Sequence, residues 1–141
     1  MSLYAESSAV LAWLLDEDSA AEVRRLLGAS DLIVASDLTL IECDRVLLRA
    51  LALGELSEAE AADRRAHLAT AASDWHTLRV APEIVDRARR PFPGESIRTL
   101  DAIHLAAALA ARAAVAGLGL LSLDERIRRA GSRLGLPILP P

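Results

Sequence analysis

Short apolar segments alternate with longer segments of helical periodicity along the whole chain, and this alternation constrains the fold more than any other feature. Short runs of apolar, partly β-branched residues are typical of buried strands, whereas apolar residues that recur every three or four positions indicate helices. Alternation of the two predicts a parallel sheet that is covered by helices on both faces. The expected fold class is therefore α/β, with three layers in the order α/β/α.

The predicted strands are short and the predicted helices are longer. Strands are expected at Leu3–Ala5, Asp31–Ala35, Trp75–Val80, Gly117–Leu121 and Leu136–Leu139. Helices are expected over Ser7–Asp16, from Ser36 to about Leu53, from Ser57 to Ser73, from Pro82 onward, over Thr99–Val115 and over Asp124–Ala130. We therefore predict a central parallel sheet of about four to five strands. A helical pair, Ser36–Ser73, is inserted after the second strand.

Length and composition bound the class of protein. A chain of 141 residues with no internal repeat and no low-complexity linker is predicted to form one domain over residues 1–141. Hydrophobic residues make up 52% and charged residues 26%, which excludes a disordered or fibrous chain. A net charge of −4 does not by itself indicate a nucleic-acid binder. All 16 basic residues are arginine, so mechanisms that need a lysine, such as that of the P-loop, are excluded.

The sequence indicates a cytoplasmic protein that does not contact the membrane. Cys43 is the single cysteine and cannot form an internal disulfide. The first residues have neither the basic region nor the apolar stretch of a signal peptide. The most membrane-like run, Leu105–Leu121, is interrupted by Arg112, whose insertion into a membrane costs about 2.5 to 3.5 kcal/mol.

Four carboxylates follow the predicted strands. Glu6 comes directly after the first strand, and Asp124 follows the buried strand that ends near Leu121. Glu42 lies two turns into the helix after the second strand, and Asp101 lies in the first turn of the most hydrophobic helix. Ligands of open α/β sheets bind outside the carboxyl ends of the strands. The four acids are therefore expected to converge at one edge of the sheet.

Such a cluster is expected to hold a cation. Two unit charges 4 Å apart repel each other by about 4 kcal/mol at an effective dielectric of 20, so clustered carboxylates take up protons or bind a positive ion. Oxygen ligands without a pair of histidines or thiolates favour Mg²⁺ or Mn²⁺ over Zn²⁺. A hard divalent ion suits phosphodiester hydrolysis, because it polarises the phosphate and lowers the pKa of a bound water.

Each acid except Glu6 also has a structural interpretation. Asp124 lies in a possible capping box with Ser122 as the N-cap, and Asp101 can complement the dipole of its own helix. Glu42 shares a helical face with Arg45 and Arg49, which is typical of a solvated stripe of ion pairs. An acid between a buried strand and a buried helix, as at Glu6, has few structural uses.

Other polar residues are given structural roles. His104 follows Asp101 by three residues and could reach the acids, but a packed histidine is the commoner outcome. Cys43 shares an apolar helical face and is expected to be a core thiol. The paired arginines, Arg24–Arg25, Arg64–Arg65, Arg89–Arg90 and Arg128–Arg129, are expected on helix surfaces, where some could contact nucleic-acid phosphates.

Five segments occur in an order that is typical of one family. They are Leu3–Leu11 (LYAESSAVL), Ser36–Glu42 (SDLTLIE), Ile97–Ala106 (IRTLDAIHLA), Leu120–Arg126 (LLSLDER) and Gly135–Pro137 (GLP). Together they resemble the motifs of PIN-domain ribonucleases, and the segment around Asp101 is the most distinctive. The length resembles that of the VapC-type toxins of bacterial type II toxin–antitoxin pairs.

The resemblance implies a PIN-like α/β/α fold and Mg²⁺- or Mn²⁺-dependent cleavage of RNA. It implies that Glu6, Asp101 and Asp124 are metal ligands and that Glu42 completes the site or orients the attacking water. Ser8 and Ser122 match small hydroxyl residues that support the ligands. It also implies a homodimer and a VapB-type antitoxin whose C-terminal segment covers the site.

The first acid departs from the family pattern, because the usual residue is aspartate and this chain has Glu6. Glutamate carries the same charge but reaches one methylene further, and Mg²⁺ demands near-ideal octahedral geometry. An active endoribonuclease is therefore one hypothesis, and a PIN-like module that binds RNA or an antitoxin without cutting is the alternative. A third, another Mg²⁺-dependent phosphotransfer or phosphatase domain, is disfavoured because it needs an aspartate at this position and commonly a lysine.

Overall fold

The computed structural model describes residues 1–141 and has a five-stranded parallel sheet. The strands are β1 (Ser2–Ala5), β2 (Leu32–Ser36), β3 (His76–Leu78), β4 (Gly119–Leu121) and β5 (Ile138–Leu139). Their order across the sheet is β3-β2-β1-β4-β5, and every neighbouring pair is parallel. The predicted α/β class and the parallel sheet are confirmed.

Seven helices connect the strands. They are α1 (Ser7–Leu14), α2 (Ala20–Gly28), α3 (Asp37–Ala52), α4 (Glu58–Ala72), α5 (Pro82–Ala88), α6 (Thr99–Ala114) and α7 (Glu125–Arg133). Helices α3 and α4 are the predicted helical pair after the second strand. None of the helices has the length and apolar character needed to cross a membrane.

The central strand β1 divides the core into two halves. Its side chains alternate between the two faces of the sheet, as in any strand. Tyr4 packs with residues of α5, α6 and α7, whereas Leu3 and Ala5 pack on the opposite face with residues of α1 to α4. All three residues are fully buried. This arrangement gives the predicted three layers, with β1 in the middle of the sheet.

Capping residues set several helix ends as the sequence predicts. Ser36 is the N-cap of α3, and Ser57 forms a capping box with Glu60 at the start of α4. Pro82 is the first residue of α5, where its missing N–H costs nothing. Helix α1 ends at Leu14, two residues earlier than predicted, and Asp16 adopts a left-handed conformation with φ of 53°.

Two features differ from the prediction. Helix α2 was not predicted, although Ala20, Val23 and Leu26 recur at helical spacing and are buried. The assignment of Ser122 as an N-cap is wrong, because α7 starts at Glu125 and the N-cap is Asp124. The side chain of Asp124 accepts hydrogen bonds from the backbone N–H groups of Arg126 and Ile127 at 2.9 and 3.1 Å. The local sequence allowed either Ser122 or Asp124 as the N-cap. In the structure the Ser122 hydroxyl contacts Glu6 and the Asp124 N–H, and Asp124 caps the helix.

Parallel strands bring their carboxyl ends to one edge of the sheet. At this edge β1 runs directly into α1, and β4 leads to α7 through residues 122–124. Because β1 and β4 are neighbours, the residues that follow them meet. The fold therefore places the strand-end acids at the edge where the strand-end rule expects a ligand.

Candidate active site

Glu6 lies at the junction of β1 and α1, and its side chain is buried with four hydrogen-bond donors around it. The residue is 3% exposed. Its Oε1 accepts from the Ser7 hydroxyl at 2.8 Å and from the Ser8 backbone N–H at 3.1 Å. Its Oε2 accepts from the Ser122 hydroxyl at 2.7 Å and from the Ser8 hydroxyl. Glu6 is therefore also the N-cap of α1.

Ser8 and Ser122 tie Glu6 to the segment before α7. The Ser8 hydroxyl oxygen accepts hydrogen bonds from the backbone N–H groups of Leu123 and Asp124 at 2.9 and 3.1 Å. Ser122 is fully buried, and its hydroxyl also accepts the Asp124 N–H at 3.2 Å. The two serines thus link the carboxylate of Glu6 to the backbone of Asp124. Their role in supporting a metal site stays a prediction.

The carboxylate of Glu42 contacts the buried side chain of His104. The Glu42 Oε1 lies 2.5 Å from His104 Nε2 and accepts a hydrogen bond from the Ser7 hydroxyl at 3.0 Å. Burial raises the pKa of Glu42, but hydrogen bonds from His104 and Ser7 and the positive charge nearby outweigh it and hold this pKa below its usual value. Glu42 is not paired with Arg45 or Arg49, so the predicted ion-pair stripe on α3 does not include it.

His104 connects the acids to the core. It is 1% exposed, its Nε2 faces Glu42, and its Nδ1 lies 3.1 Å from the Tyr4 hydroxyl. The Tyr4 hydroxyl in turn donates to the Ser36 hydroxyl at 3.0 Å. Burial dominates the raised pKa of Tyr4, which keeps the phenol protonated. His104 is packed, as predicted, and it also contacts the site, which the sequence alone did not settle.

Asp101 and Asp124 share one arginine. Arg98 Nε donates to Asp101 Oδ2 at 3.2 Å, and Arg98 Nη2 lies 3.7 Å from Asp124 Oδ2. The hydrogen bond with Asp101 and the negative charges nearby raise the pKa of Arg98. Asp101 is 6% exposed, whereas the Arg98 side chain is 62% exposed and lies at the mouth of the site. Sequence reasoning missed Arg98, although its spacing of three residues from Asp101 is a signal for an ion pair.

The four predicted acids lie at one edge of the sheet in two adjoining groups. Glu6, Glu42 and His104 each offer a ligand atom, and these atoms lie within 4.8 Å of one another. Asp101 and Asp124 form the other group through Arg98. The Ser8 hydroxyl, which contacts both Glu6 and the Asp124 backbone, joins the two groups.

The chemistry of this donor set fits a hard divalent cation. Four carboxylates face one arginine and one histidine, so the negative charge of the cluster exceeds the positive charge that the chain itself supplies. Carboxylate oxygens are the ligands that Mg²⁺ and Mn²⁺ prefer, and a histidine nitrogen is better tolerated by Mn²⁺. A bound cation would relieve the repulsion among Glu6, Glu42, Asp101 and Asp124.

The chain is similar to known proteins in sequence and in fold. The family model described as PIN domain matches residues 3–132. The chain is 34% identical over 140 residues to Ribonuclease VapC46 of Mycobacterium tuberculosis (strain ATCC 25618 / H37Rv), covering 99% of this chain and 98% of that protein.

Three solved structures share the fold. VapC20 of Mycobacterium tuberculosis, described as a Sarcin-Ricin loop cleaving toxin, matches with a TM-score of 0.65 and 14% identity over 92% of this chain and 95% of its own. VapBC2 of Rickettsia felis, bound to a DNA fragment from their promoter, matches with a TM-score of 0.65 and 13% identity over 98% of this chain and 97% of its own. PAE2754 of Pyrobaculum aerophilum matches with a TM-score of 0.62 and 18% identity over 99% of this chain and 84% of its own.

Proposed function

The chain belongs to the PIN-domain family, and we propose that it is a Mg²⁺- or Mn²⁺-dependent endoribonuclease that acts as the toxin of a toxin–antitoxin pair. The proposal depends on two adjoining groups of acids at one sheet edge, Glu6 with Glu42 and Asp101 with Asp124. The charges of Arg98 and His104 do not balance the four carboxylates. The 34% identity with Ribonuclease VapC46 over nearly the whole chain supports the choice of RNA as the substrate.

We assign the metal to Glu6, Asp101 and Asp124, with Glu42 beside them. When bound, such an ion supplies charge stabilisation at the scissile phosphate and a more acidic water. The residues of the chain orient this site. The hydroxyls of Ser7, Ser8 and Ser122 fix both oxygens of Glu6, and His104 fixes one oxygen of Glu42. Glu42 is the acid proposed to complete the site or orient the attacking water, and its contacts with His104 and Ser7 fix the position of its Oε1.

The proposed partners are a VapB-type antitoxin and a second copy of the chain, in the cytoplasm. The structural likeness to VapBC2 of Rickettsia felis supports an antitoxin partner. An apolar groove lined by Val80, Val85, Ile97 and Ile103, in which Val85 is 41% exposed, supports a homodimer, because such a surface is commonly covered by another protein. An antitoxin segment that covers the acids would switch the site off.

One observation favours the alternative of a binding module that does not cut RNA. The carboxylate of Glu6 already accepts four hydrogen bonds as an N-cap, so its role in the fold can be fulfilled without a cation. Under this alternative the chain would bind RNA or an antitoxin and leave the phosphodiester bond intact. RNA cleavage by the purified protein separates the two functions.

The proposed function is tested by digesting total RNA with the purified protein in Mg²⁺, in Mn²⁺ and in a chelator. We expect cleavage with either metal, none with the chelator, and a loss of about a hundredfold or more in Asp101→Asn, because an amide conserves volume but removes a charged ligand. Asp86→Asn is the matched control, since Asp86 is exposed on α5 and has no basic partner. Cleavage that persists in the chelator, or in folded Asp101→Asn, would contradict the proposal.

A further inference from the structure

The arginines of α7 project from two different sides of the helix. Arg126, Arg129 and Arg133 follow one another at spacings of three and four residues, so they share one face. All three are exposed. Arg128 lies on the other side, where its guanidinium donates to the carbonyl groups of Ser122 and Pro140, both at 2.9 Å. Arg128 therefore holds the chain terminus in place, whereas the other three have no such structural contacts.

The three exposed arginines line a groove of about 250 Å³ together with the loop Pro93–Ile97. We call it the arginine groove. Gly94 lies at its wall with φ of 68°, and a Cβ atom at this position would lie 1.6 Å from Nη1 of Arg133. The guanidinium of Arg133 thus lies directly against the glycine backbone. The absence of a side chain at Gly94 leaves the space that this guanidinium occupies.

The positive charge of the arginine groove is largely uncompensated. No carboxylate lies within 4.0 Å of the guanidinium of Arg126 or Arg133, and Arg129 has only the exposed Glu125 at 3.7 Å. Glu95 also lines the groove, and its carboxylate, which accepts the backbone N–H groups of Phe92 and Ile97, offsets one of the three positive charges. The groove is thus a basic region in a chain whose net charge is −4. Unpaired, exposed guanidinium groups of this kind are suited to phosphates.

The arginine groove begins at the candidate active site. Arg126 is two residues from Asp124, whose Oδ1 accepts the Arg126 backbone N–H. On the opposite wall Ile97 precedes Arg98, which pairs with Asp101 and Asp124. From Arg126 to Arg133 the helix rises about 10 Å, so the groove runs away from the acids over a length that exceeds one nucleotide.

We propose that the arginine groove binds the phosphate backbone of single-stranded RNA next to the bond that is cut. The proposal rests on the proposed function for its substrate class. Guanidinium groups bind phosphate oxygens in a bidentate manner, and three of them along one helix face match a strand of repeated phosphates. The groove has no aromatic side chain on which bases could stack, so it binds the backbone without reading the sequence. Its scarcity of apolar side chains disfavours a peptide as the occupant.

The test measures RNA binding without cleavage. A fluorescein-labelled single-stranded RNA is titrated with protein in a chelator at several salt concentrations, and affinity is read from fluorescence anisotropy. The slope of log affinity against log salt is negative. We expect it to become shallower by about 1.4 in Arg126→Gln/Arg133→Gln, since each phosphate contact with single-stranded nucleic acid contributes about 0.7 to its magnitude. Arg24→Gln/Arg25→Gln removes the same charge from α2, away from the site, and should leave the slope unchanged.

A lysine variant separates charge from packing. Arg126→Lys/Arg133→Lys keeps both charges and should keep the slope. Because the guanidinium of Arg133 packs against Gly94, a thermal melt of each variant checks that it is folded. Equal slopes in the natural protein and in Arg126→Gln/Arg133→Gln would overturn the proposal. Binding of a labelled oligoglutamate peptide as tightly as RNA would also overturn it, and would make the groove a site for acidic peptides.

Failure of this inference differs from failure of the proposed function. If RNA binding depends on Arg126 and Arg133 but no cleavage occurs in Mg²⁺ or Mn²⁺, the arginine groove is supported and the nuclease proposal is contradicted. If the protein cleaves RNA but the salt dependence of RNA affinity is the same without Arg126 and Arg133, the nuclease proposal is supported and RNA binding by the arginine groove is contradicted.

Discussion

Glu6 combines a structural and a chemical position in one side chain. It follows β1 directly, caps α1 and accepts hydroxyl hydrogen bonds from α1 and from Ser122 beyond β4. Sequence reasoning could single out Glu6, because an acid between a buried strand and a buried helix has few other uses. The family resemblance implied that Ser8 and Ser122 support the ligands, but it did not predict that their hydroxyls and that of Ser7 all bind this one carboxylate, and Ser122 lies 116 residues away. That contact depends on the pairing of β1 with β4.

Variants of Glu6 test its part in metal binding. Glu6→Ala removes the carboxylate and should abolish both Mn²⁺ binding and RNA cleavage. Glu6→Asp keeps the charge but draws the oxygens back by one methylene, so we expect measurable cleavage that is about tenfold or more below the natural protein. Calorimetric Mn²⁺ titration and RNA digestion, each with a thermal melt, measure these effects. If Glu6→Ala cleaves as well as the natural protein, Glu6 has no place in the site.

Arg98 is a cation of the chain itself that occupies the space beside Asp101 and Asp124. Arg98→Met removes the charge and leaves the alkyl part, so a divalent ion no longer competes with the guanidinium. We expect Mn²⁺ to bind about 1.4-fold to fivefold more tightly, which corresponds to the 0.2 to 1 kcal/mol of an exposed pair. In metal-free buffer the melting temperature should fall, because the repulsion between the two aspartates is no longer screened.

The matched control for Arg98 is Arg79→Met, which removes an exposed arginine that has no carboxylate partner within 4.0 Å. It should change neither Mn²⁺ affinity nor melting temperature. Weaker Mn²⁺ binding in Arg98→Met would show that Arg98 positions the aspartates instead of competing for them.

Patterns within a segment predicted most strands and helices, but they did not predict contacts between distant segments. Strand–helix alternation and the caps Ser36, Ser57 and Pro82 located most elements. Helix α2 was not predicted, although its buried face has helical spacing. The contact of Glu42 with His104 joins α3 and α6 across 62 residues. Periodicity within either helix carries no information about such a pairing.

The loop between α5 and α6 depends on the ionised carboxylate of Glu95. Hydrogen bonds from the backbone N–H groups of Phe92, Ile97 and Ser96 lower the pKa of Glu95 below its ordinary value of 4.5. A pKa that is lower in the folded state stabilises the fold above the ordinary value, and this contribution is lost as the pH falls through the folded pKa. We therefore expect the loop contacts to persist at pH 4.5 and to weaken only at lower pH.

NMR shifts of the Phe92 and Ile97 amide protons, followed as the pH is lowered, measure this dependence. In the natural protein both shifts should titrate together with a midpoint below 4.5. In Glu95→Gln, which has no titrating group at this position, neither should show that transition. A midpoint at or above 4.5 in the natural protein would contradict the role of Glu95.

In the molecule as a whole, a cluster of acidic residues lies next to a cluster of basic residues. The chain carries a net charge of −4, yet four acids gather at one sheet edge and three exposed arginines line the groove that leads from it. The strand-end rule predicted where the acids would gather, because it depends only on parallel strands. It did not predict the arginine groove, since the face of α7 that meets the loop Pro93–Ile97 follows from tertiary packing.

If the acids at the sheet edge form one divalent-metal site, calorimetric titration with Mn²⁺ will detect it. We expect saturable binding to the natural protein and to Asp86→Asn, and binding that is weaker by about tenfold or more in Asp101→Asn, in keeping with the loss of one charged ligand. Thermal melts in metal-free buffer should show that Asp101→Asn is folded. Equal Mn²⁺ affinity in the natural protein and in folded Asp101→Asn would show that the acids do not form this site.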